Sequence, residues 1–463
     1  MDRRPALREA LRLSRVLSIA RLPRFAIVLV SAGALVLASA GGGRDGSKPK
    51  DDAPRASIQD LIVRLRKTRD EHVGELRAGV DQVLRALDLE IQTKRPAGLA
   101  EQREKLVALG PECAPILVEM IDPGEKPDDA AKLRASTIAK ALAEEPSPAV
   151  TARLIAIARG GSPDGRVNAA VALGSSPDTE RASAVLSEIY RAAEGDLRGA
   201  ALTGIARLGG AESEKIVGAA LDSGDAATVR LCLSALASAH GSAYAPRVLK
   251  LVSATREAAG SADAVVAYYR ACPEVVDKPH ILALVRLAGD LGVAAESRGK
   301  ILDLLARYGD KFDTEVRKEL HQLANSSTRD VHESALITLY VAGDKSVRKE
   351  LLASYDEQVE KNKQWAQSFE ARANVLYRIG DYQQAIRDYV KALQLAANVL
   401  HAKTEGSHIG LARCYMQQGK LKDAFDELNR APIGQQELAE LAKEPVFQKL
   451  AEHPKYGKIF RVD

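Results

Sequence analysis

The residues able to do chemistry in this 463-residue sequence are few and poorly spaced for it. Eight histidines (His72, His240, His280, His321, His332, His401, His408 and His453) stand without a pair at metal-ligand spacing. The segment HESAL at His332 opens like a helical HExxH zinc site but lacks the second histidine that must follow one turn later. GIARLGG from Gly204 has glycines without the Lys-Ser/Thr that grips a nucleotide phosphate, and no GxSxG nucleophile turn occurs. Cys113, Cys232, Cys272 and Cys414 are far apart, with no CxxC. They read as small packing side chains, the alternative being a stray disulfide in an oxidising compartment. The expectation is no catalytic residue, no metal, no cofactor and no small-molecule substrate.

The elements around them are legible from composition and periodicity. With 46% hydrophobic but only 4% aromatic residues, the core must be Ala, Leu, Val and Ile, which lets helices approach closely. The formal charge of +4 is concentrated at the start, where residues 1–24 hold seven arginines against Asp2 and Glu9. The rest of the chain is nearly balanced, which argues against a nucleic-acid partner.

Phe25 to Ala40 is an uncharged apolar run. As a helix it would span about 24 Å, short of the roughly 30 Å of bilayer hydrocarbon. Ala38-Ser39-Ala40 before Gly41 is the small-x-small pattern of a signal cleavage site. Residues 1–40 are therefore a signal peptide, or an inner-membrane anchor through 25–40 held by the basic segment. Either places the bulk of the chain outside the cytoplasm, in the periplasm or beyond. Residues 41–57, rich in Gly, Lys, Asp and Pro, read as a flexible linker. Residues 58–97 carry Ile58, Leu61, Ile62, Leu65, Leu76, Val80, Val83, Leu84 and Leu87 at helical spacing, with a gap near Thr68 to Glu75, so one or two amphipathic helices are expected.

Arg134, Arg166, Arg198 and Arg230 recur every 32 residues, each before a run of Ala and Leu. Asp164 and Asp196 stand two residues before their arginines, and Asp330 two before His332, where N-caps are expected. Eleven residues after Arg198, Arg230, Arg298 and His332 come Gly209, Gly241, Gly309 and Gly343, expected to end a three-turn helix in the left-handed conformation. A second helix follows, as over Glu180 to Ala193 or Tyr244 to Val252. The segments DGRVNAAVALGSSPD and DVHESALITLYVAGDKSV resemble units of the HEAT-repeat superfamily, close to the HEAT-like repeats named from phycobilisome lyases. The resemblance covers residues 98–350 in about eight units, with a poor fit at Ser261 to Pro279, a degenerate unit or a kink. The periodic arginines are either an anion-binding ladder or structural groups, each pairing with a carboxylate or carbonyl of the neighbouring unit.

From Phe369 the segment FEARANVLYRIGDYQQAIRDYVKALQLAAN resembles a tetratricopeptide repeat through Ala373, Leu376, Gly380, Tyr382, Ala385, Tyr389 and Ala392. A second copy follows through Leu411, Ala412, Tyr415, Gly419, Ala424 and Ala431. Arg372 stands where that family has Leu, and about five extra residues separate the copies near Val399 to Glu405. Residues 351–368 read as a connecting helix, whose Trp365 segment should help pack the pair onto the preceding repeats. Residues 369–436 are then the two tetratricopeptide units, and 437–463 a capping helix and tail closed by Phe447, Leu450 and Phe460.

The resemblance implies an all-α superhelix, with a peptide groove lined by the first helix of each tetratricopeptide unit. On this chain that means Gln367, Glu370, Asn374, Tyr377 and Arg378 from the first copy and Ile409, Arg413, Met416 and Gln417 from the second. The alternative is a merely solvated face. The expected function is a protein-binding scaffold of the cell envelope or exterior, binding proteins or peptides and touching membrane only through its N-terminal segment. The HEAT-like resemblance also implies a rival, an enzyme that attaches or isomerises tetrapyrrole (bilin) chromophores. A third reading is a membrane-tethered architectural spacer.

Overall fold

Small aliphatic residues recurring at three and four have one economical use, the stacking of amphipathic helices. The computed structural model of the protein is built that way. It describes residues 58–460 except 94–95, 327, 398 and 400, and no strand occurs among the described residues. The leader and linker expected within residues 1–57 lie outside the described residues. The chain divides into two units, Met1–Thr68 and Arg69–Asp463. Of the first, the described part is the opening of helix α1 (Ile58–Gln92), a single helix where the gap in periodicity allowed two.

The second unit is a succession of helix pairs. The opening pair is α2 (Pro96–Ala108) with the short α3 (Ala114–Leu117), flanked by 3₁₀ turns. Then come α4 (Asp129–Glu144) with α5 (Thr151–Gly160), α6 (Pro163–Leu173) with α7 (Thr179–Ala192), and α8 (Gly195–Leu208) with α9 (Gly210–Leu221). These are followed by α10 (Ala226–Ala239) with α11 (Ala245–Ser253) and, after the one-turn α12 (Thr255–Ala258), α13 (Ala262–Ala271) with α14 (Lys278–Gly289). The last such pairs are α15 (Ala295–Leu305) with α16 (Thr314–Ser326), and α17 (Arg329–Val341) with α18 (Arg348–Lys361). Two further pairs complete the array, α19 (Ala366–Arg378) with α20 (Tyr382–Ala396) and α21 (Glu405–Gln417) with α22 (Leu421–Arg430), before α23 (Gln435–Leu441) and α24 (Gln448–Ala451).

The first helices form one continuous row, each packing on the next from α2 through α4, α6, α8, α10, α13 and α15 to α17. Many second helices also touch: α5 packs on α7, α9 on α11, α11 on α14, and α14 on α16. Close approach within the first row depends on missing side chains. A Cβ on Gly174 at the end of α6 would lie 2.6 Å from the Cα of Gly204 in α8. One apolar core runs from Val80 in α1 to Cys414 in α21, and a second, built on Ala424, Leu428, Phe447, Leu450 and Phe460, closes the C-terminal end.

Several local expectations are corrected. The N-cap of α6 is Ser162, whose hydroxyl accepts from the Gly165 amide, while Asp164 lies inside the first turn. In α8 and α17 the caps are likewise earlier, at Glu194 and Thr328, and in α8 Asp196 complements the positive helix end from within. Gly209 and Gly343 do take positive φ, at 67° and 98°. At Gly241 the left-handed role passes to His240, with φ of 50°, and Gly309 is instead a contact glycine, its absent Cβ standing 2.6 Å from Ala342. The weak stretch at Ser261 to Pro279 holds a complete pair, α13 and α14, inserted in both rows. Tyr268 and Tyr269 fill its core where other units use alanine and leucine, which is why the pattern faded there. Trp365 does not help bury the last pairs: it is 63% exposed, and the junction is made by α18 packing on α19.

Candidate functional site

The four periodic arginines diverge. Arg134 pairs with Asp88 of α1 at 3.3 Å. Arg166 donates to the Ala158 carbonyl at the end of α5 (3.2 Å), and Arg230 to the Gly260 carbonyl ahead of α13 (3.0 Å). These three hold neighbouring elements together. Arg198 has no such partner; its guanidinium stacks over the Tyr190 ring, 4.9 Å from the centroid, and its Nε is buried without a hydrogen bond.

In the C-terminal pairs, Ala373, Leu376, Ala385, Tyr389 and Ala392 are buried between α19 and α20, and Leu411, Ala412 and Ala424 between α21 and α22. Adjacent pairs come close because Gly410 lacks a side chain: a Cβ there would sit 2.3 Å from the Tyr389 ring. Arg372, at a position expected to be apolar, is retained by a charge on each side. It makes a two-pronged contact with Asp388 of α20 (2.7 and 2.9 Å) and a third hydrogen bond to Asp356 of α18 (2.9 Å). Asp388 is 5% exposed, so the pair is largely desolvated and each charge depends on the other.

The nine residues expected to line a groove separate into groups. Gln367, Asn374 and Gln417 are exposed. The Asn374 side-chain oxygen accepts from the Tyr389 hydroxyl (2.6 Å), which leaves the amide NH2 outward. Glu370 accepts from Ser407 across the two pairs at 2.5 Å. Tyr377 tilts against Tyr382 at 5.7 Å; burial pushes its phenol up, opposed by the Gln417 hydrogen bond and the Arg413 charge beside it. These last three residues therefore form one cluster. Arg413 is clamped on Glu444 by hydrogen bonds of 3.0 and 2.6 Å, and Arg378 turns away to Asp303 and Glu333 of the preceding pairs. Ile409 and Met416 pack partly buried against the C-terminal core. The sequence did not reveal the contacts of Arg413 and Arg378, because their partners lie 31 and up to 75 residues away.

Groups with nucleophilic or ligating capacity are spent on packing. All four cysteines are buried free thiols; burial raises each, Cys232 and Cys414 to about 12, which keeps them protonated and unreactive. His332 donates through Nδ1 to the Ala324 carbonyl at 2.8 Å, and His408 meets Glu427 at 2.8 Å. Among the described residues no group of three His, Cys, Asp or Glu side chains could hold a metal ion, and no helix is long and apolar enough to cross a membrane.

Residues 376–443, from the end of α19 past α23, match the tetratricopeptide repeat family model. No curated protein matches the chain.

Proposed function

We propose that this chain is a protein-binding scaffold of the cell envelope or exterior, in which HEAT-like pairs continue into two tetratricopeptide units. One observation carries the reading: successive helix pairs run from α2 to α22, and residues 376–443 among them match the tetratricopeptide repeat. Such stacked arrays expose a long surface that no pair could offer alone, and their recurring use is recognition of extended partners. The exposed groups Gln367, Asn374 and Gln417, with Tyr377 between them, are the peptide-facing set in this reading. Arg413 and Arg378 set the spacing of the pairs and contribute charge from fixed positions.

Export follows from the N-terminal sequence, with cleavage after Ala40 or anchorage by 25–40 as its two forms. N-terminal sequencing of the protein from an expressing cell distinguishes them, a start at Gly41 meaning release and an intact leader meaning anchorage. Recovery from the cytoplasm with the leader intact overturns export. For binding, the test is capture of partners by the wild-type chain and by the triple variant Gln367→Ala, Asn374→Ala, Gln417→Ala. Loss of a specific partner supports the groove; an unchanged set of partners rejects it.

A further inference from the structure

The two cavities between α7 and α9 originate in a turn. Elsewhere three to eight residues join a first helix to its second, five of them between Leu173 and Thr179 and between Ala239 and Ala245. Between α8 and α9 the only intervening residue is Gly209, followed by Gly210 as the first residue of α9, with φ of 67° and 85°. Only glycine takes that pair of conformations without strain. The turn is fastened by Ser213, fully buried, whose hydroxyl donates to the Ile205 carbonyl at 2.7 Å. So short a link pins the start of α9 to the end of α8. Here α7 and α9 pack less closely than α5 on α7 or α9 on α11.

The space left open is about 520 Å³ on one side and 580 Å³ on the other, with Arg191 and Glu212 lining both. Those two side chains bridge the opening with a 2.9 Å ion pair. The first cavity carries Arg191, Arg198 and Lys215 against Glu212, with Ser223 and Thr228 also in its lining. Its walls include Arg198, Lys215, Tyr190 and Ile216, and neither Arg198 nor Lys215 has a carboxylate partner. Arg198 is the periodic arginine that its neighbours' pairing leaves unexplained, with its guanidinium over the Tyr190 ring. The second cavity is lined by Ser187, whose hydroxyl is buried with no hydrogen bond although the residue is only 3% exposed. Arg198 and Lys215 leave in the first cavity positive charge that no carboxylate of the chain neutralises, and that unmet charge marks the site.

We infer that this cleft binds an extended acidic peptide segment of a partner protein. An Asp or Glu carboxylate seats on Arg198 and Lys215, its aliphatic neighbour lies against Ile216 and the alanines, and the adjoining backbone passes Ser183 beyond the Arg191–Glu212 bridge. The inference deepens the scaffold reading, but it uses different helices from the tetratricopeptide groove, so either site can fail alone.

The test is fluorescence anisotropy of the full chain with a fluorescein-labelled hexapeptide of alternating leucine and glutamate. Controls are the leucine–glutamine peptide and a labelled thymidine hexanucleotide. The glutamate peptide should bind in a salt-sensitive manner and the glutamine peptide at least about tenfold more weakly, the loss expected for one charged hydrogen bond. Arg198→Gln should lower affinity for the glutamate peptide by a similar factor, while Arg230→Gln leaves it unchanged. Ala219→Trp, which fills the first cavity from an exposed position, should abolish binding with no change in helix content. Equal binding of both peptides, an unaffected Arg198→Gln, or tighter binding of the oligonucleotide each overturns the inference. So does self-association of the free chain that Ala219→Trp abolishes, since a second copy would then be the occupant.

Discussion

Arg378 of α19 donates to Asp303 of α15 at 2.8 Å, across 75 residues of chain. The same guanidinium reaches Glu333 of α17 at 3.3 Å, and Glu333 in turn accepts from the Tyr355 hydroxyl of α18. Arg348 adds a bond from α18 to Asp381 at the start of α20 (2.8 Å). Three consecutive pairs are thus tied together at the start of the tetratricopeptide region.

If that tie couples the two parts, Arg378→Glu should split unfolding, the C-terminal pairs melting before the rest. The ion pair is half-exposed, so its coupling energy in a double-mutant cycle with Asp303→Ala should be about 1 kcal/mol. Calorimetry of the variant reads the split directly, and a single unchanged transition would show the tie to be incidental.

Arg372 and Asp388 should behave as a buried pair. Arg372→Leu alone leaves the Asp388 carboxylate uncompensated and should cost about 3 kcal/mol. The double variant Arg372→Leu, Asp388→Ala removes both charges, restores leucine at its usual tetratricopeptide position, and should recover most of that loss. Urea unfolding midpoints of the three proteins check this; a double variant no better than the single one contradicts it.

Gly410→Ala should be harmful out of proportion to one methyl group. The new carbon meets the ring of Tyr389, itself held by Asn374, so the pairs must move apart. A loss of about 1–3 kcal/mol is expected, the range for overpacking, and Tyr389→Leu in the same chain should relieve part of it. The comparison is again by urea midpoint.

Acid should loosen the C-terminal pairs. Burial pushes the Glu427 carboxyl up, but the hydrogen bond from His408 and the charges of His408 and Arg430 outweigh it and hold the group below its ordinary value. A carboxyl depressed in the folded chain contributes stability that is present above its unfolded pKa, about 4.3, and lost as pH falls through the lower folded value. Asp344, held down by Ser346 and His321, and Asp313, held down by Lys278, act with the same sign. The thermal midpoint should therefore drop as pH falls below about 4, and Glu427→Gln should flatten that slope. Melting curves across the acid range decide it.

Much of the fold was legible without coordinates. Periodicity at three and four residues, the 32-residue recurrence of Arg134, Arg166, Arg198 and Arg230, and the alanine and glycine pattern after Phe369 are local properties, and local spacing is what makes a helix and a repeat. They determined that the chain is a stack of helix pairs ending in a tetratricopeptide region. The errors arose where a residue type has more than one use. Asp164 fits a cap or a first turn, and Gly309 fits a left-handed cap or a close contact; only the neighbour across the interface chooses.

Tertiary structure alone decided how the charged side chains are spent. Arg413 and Arg378 both read from the sequence as groove-lining residues, yet one is clamped on Glu444 and the other on Asp303 and Glu333. Arg198 shares the period of its neighbours but faces the opening that the Gly209-Gly210 turn leaves between α7 and α9. A repeat specifies each unit's contacts with itself, which sequence spacing records. The partners of a long guanidinium belong to other units, and where those stand depends on turn length and helix crossing summed along the stack.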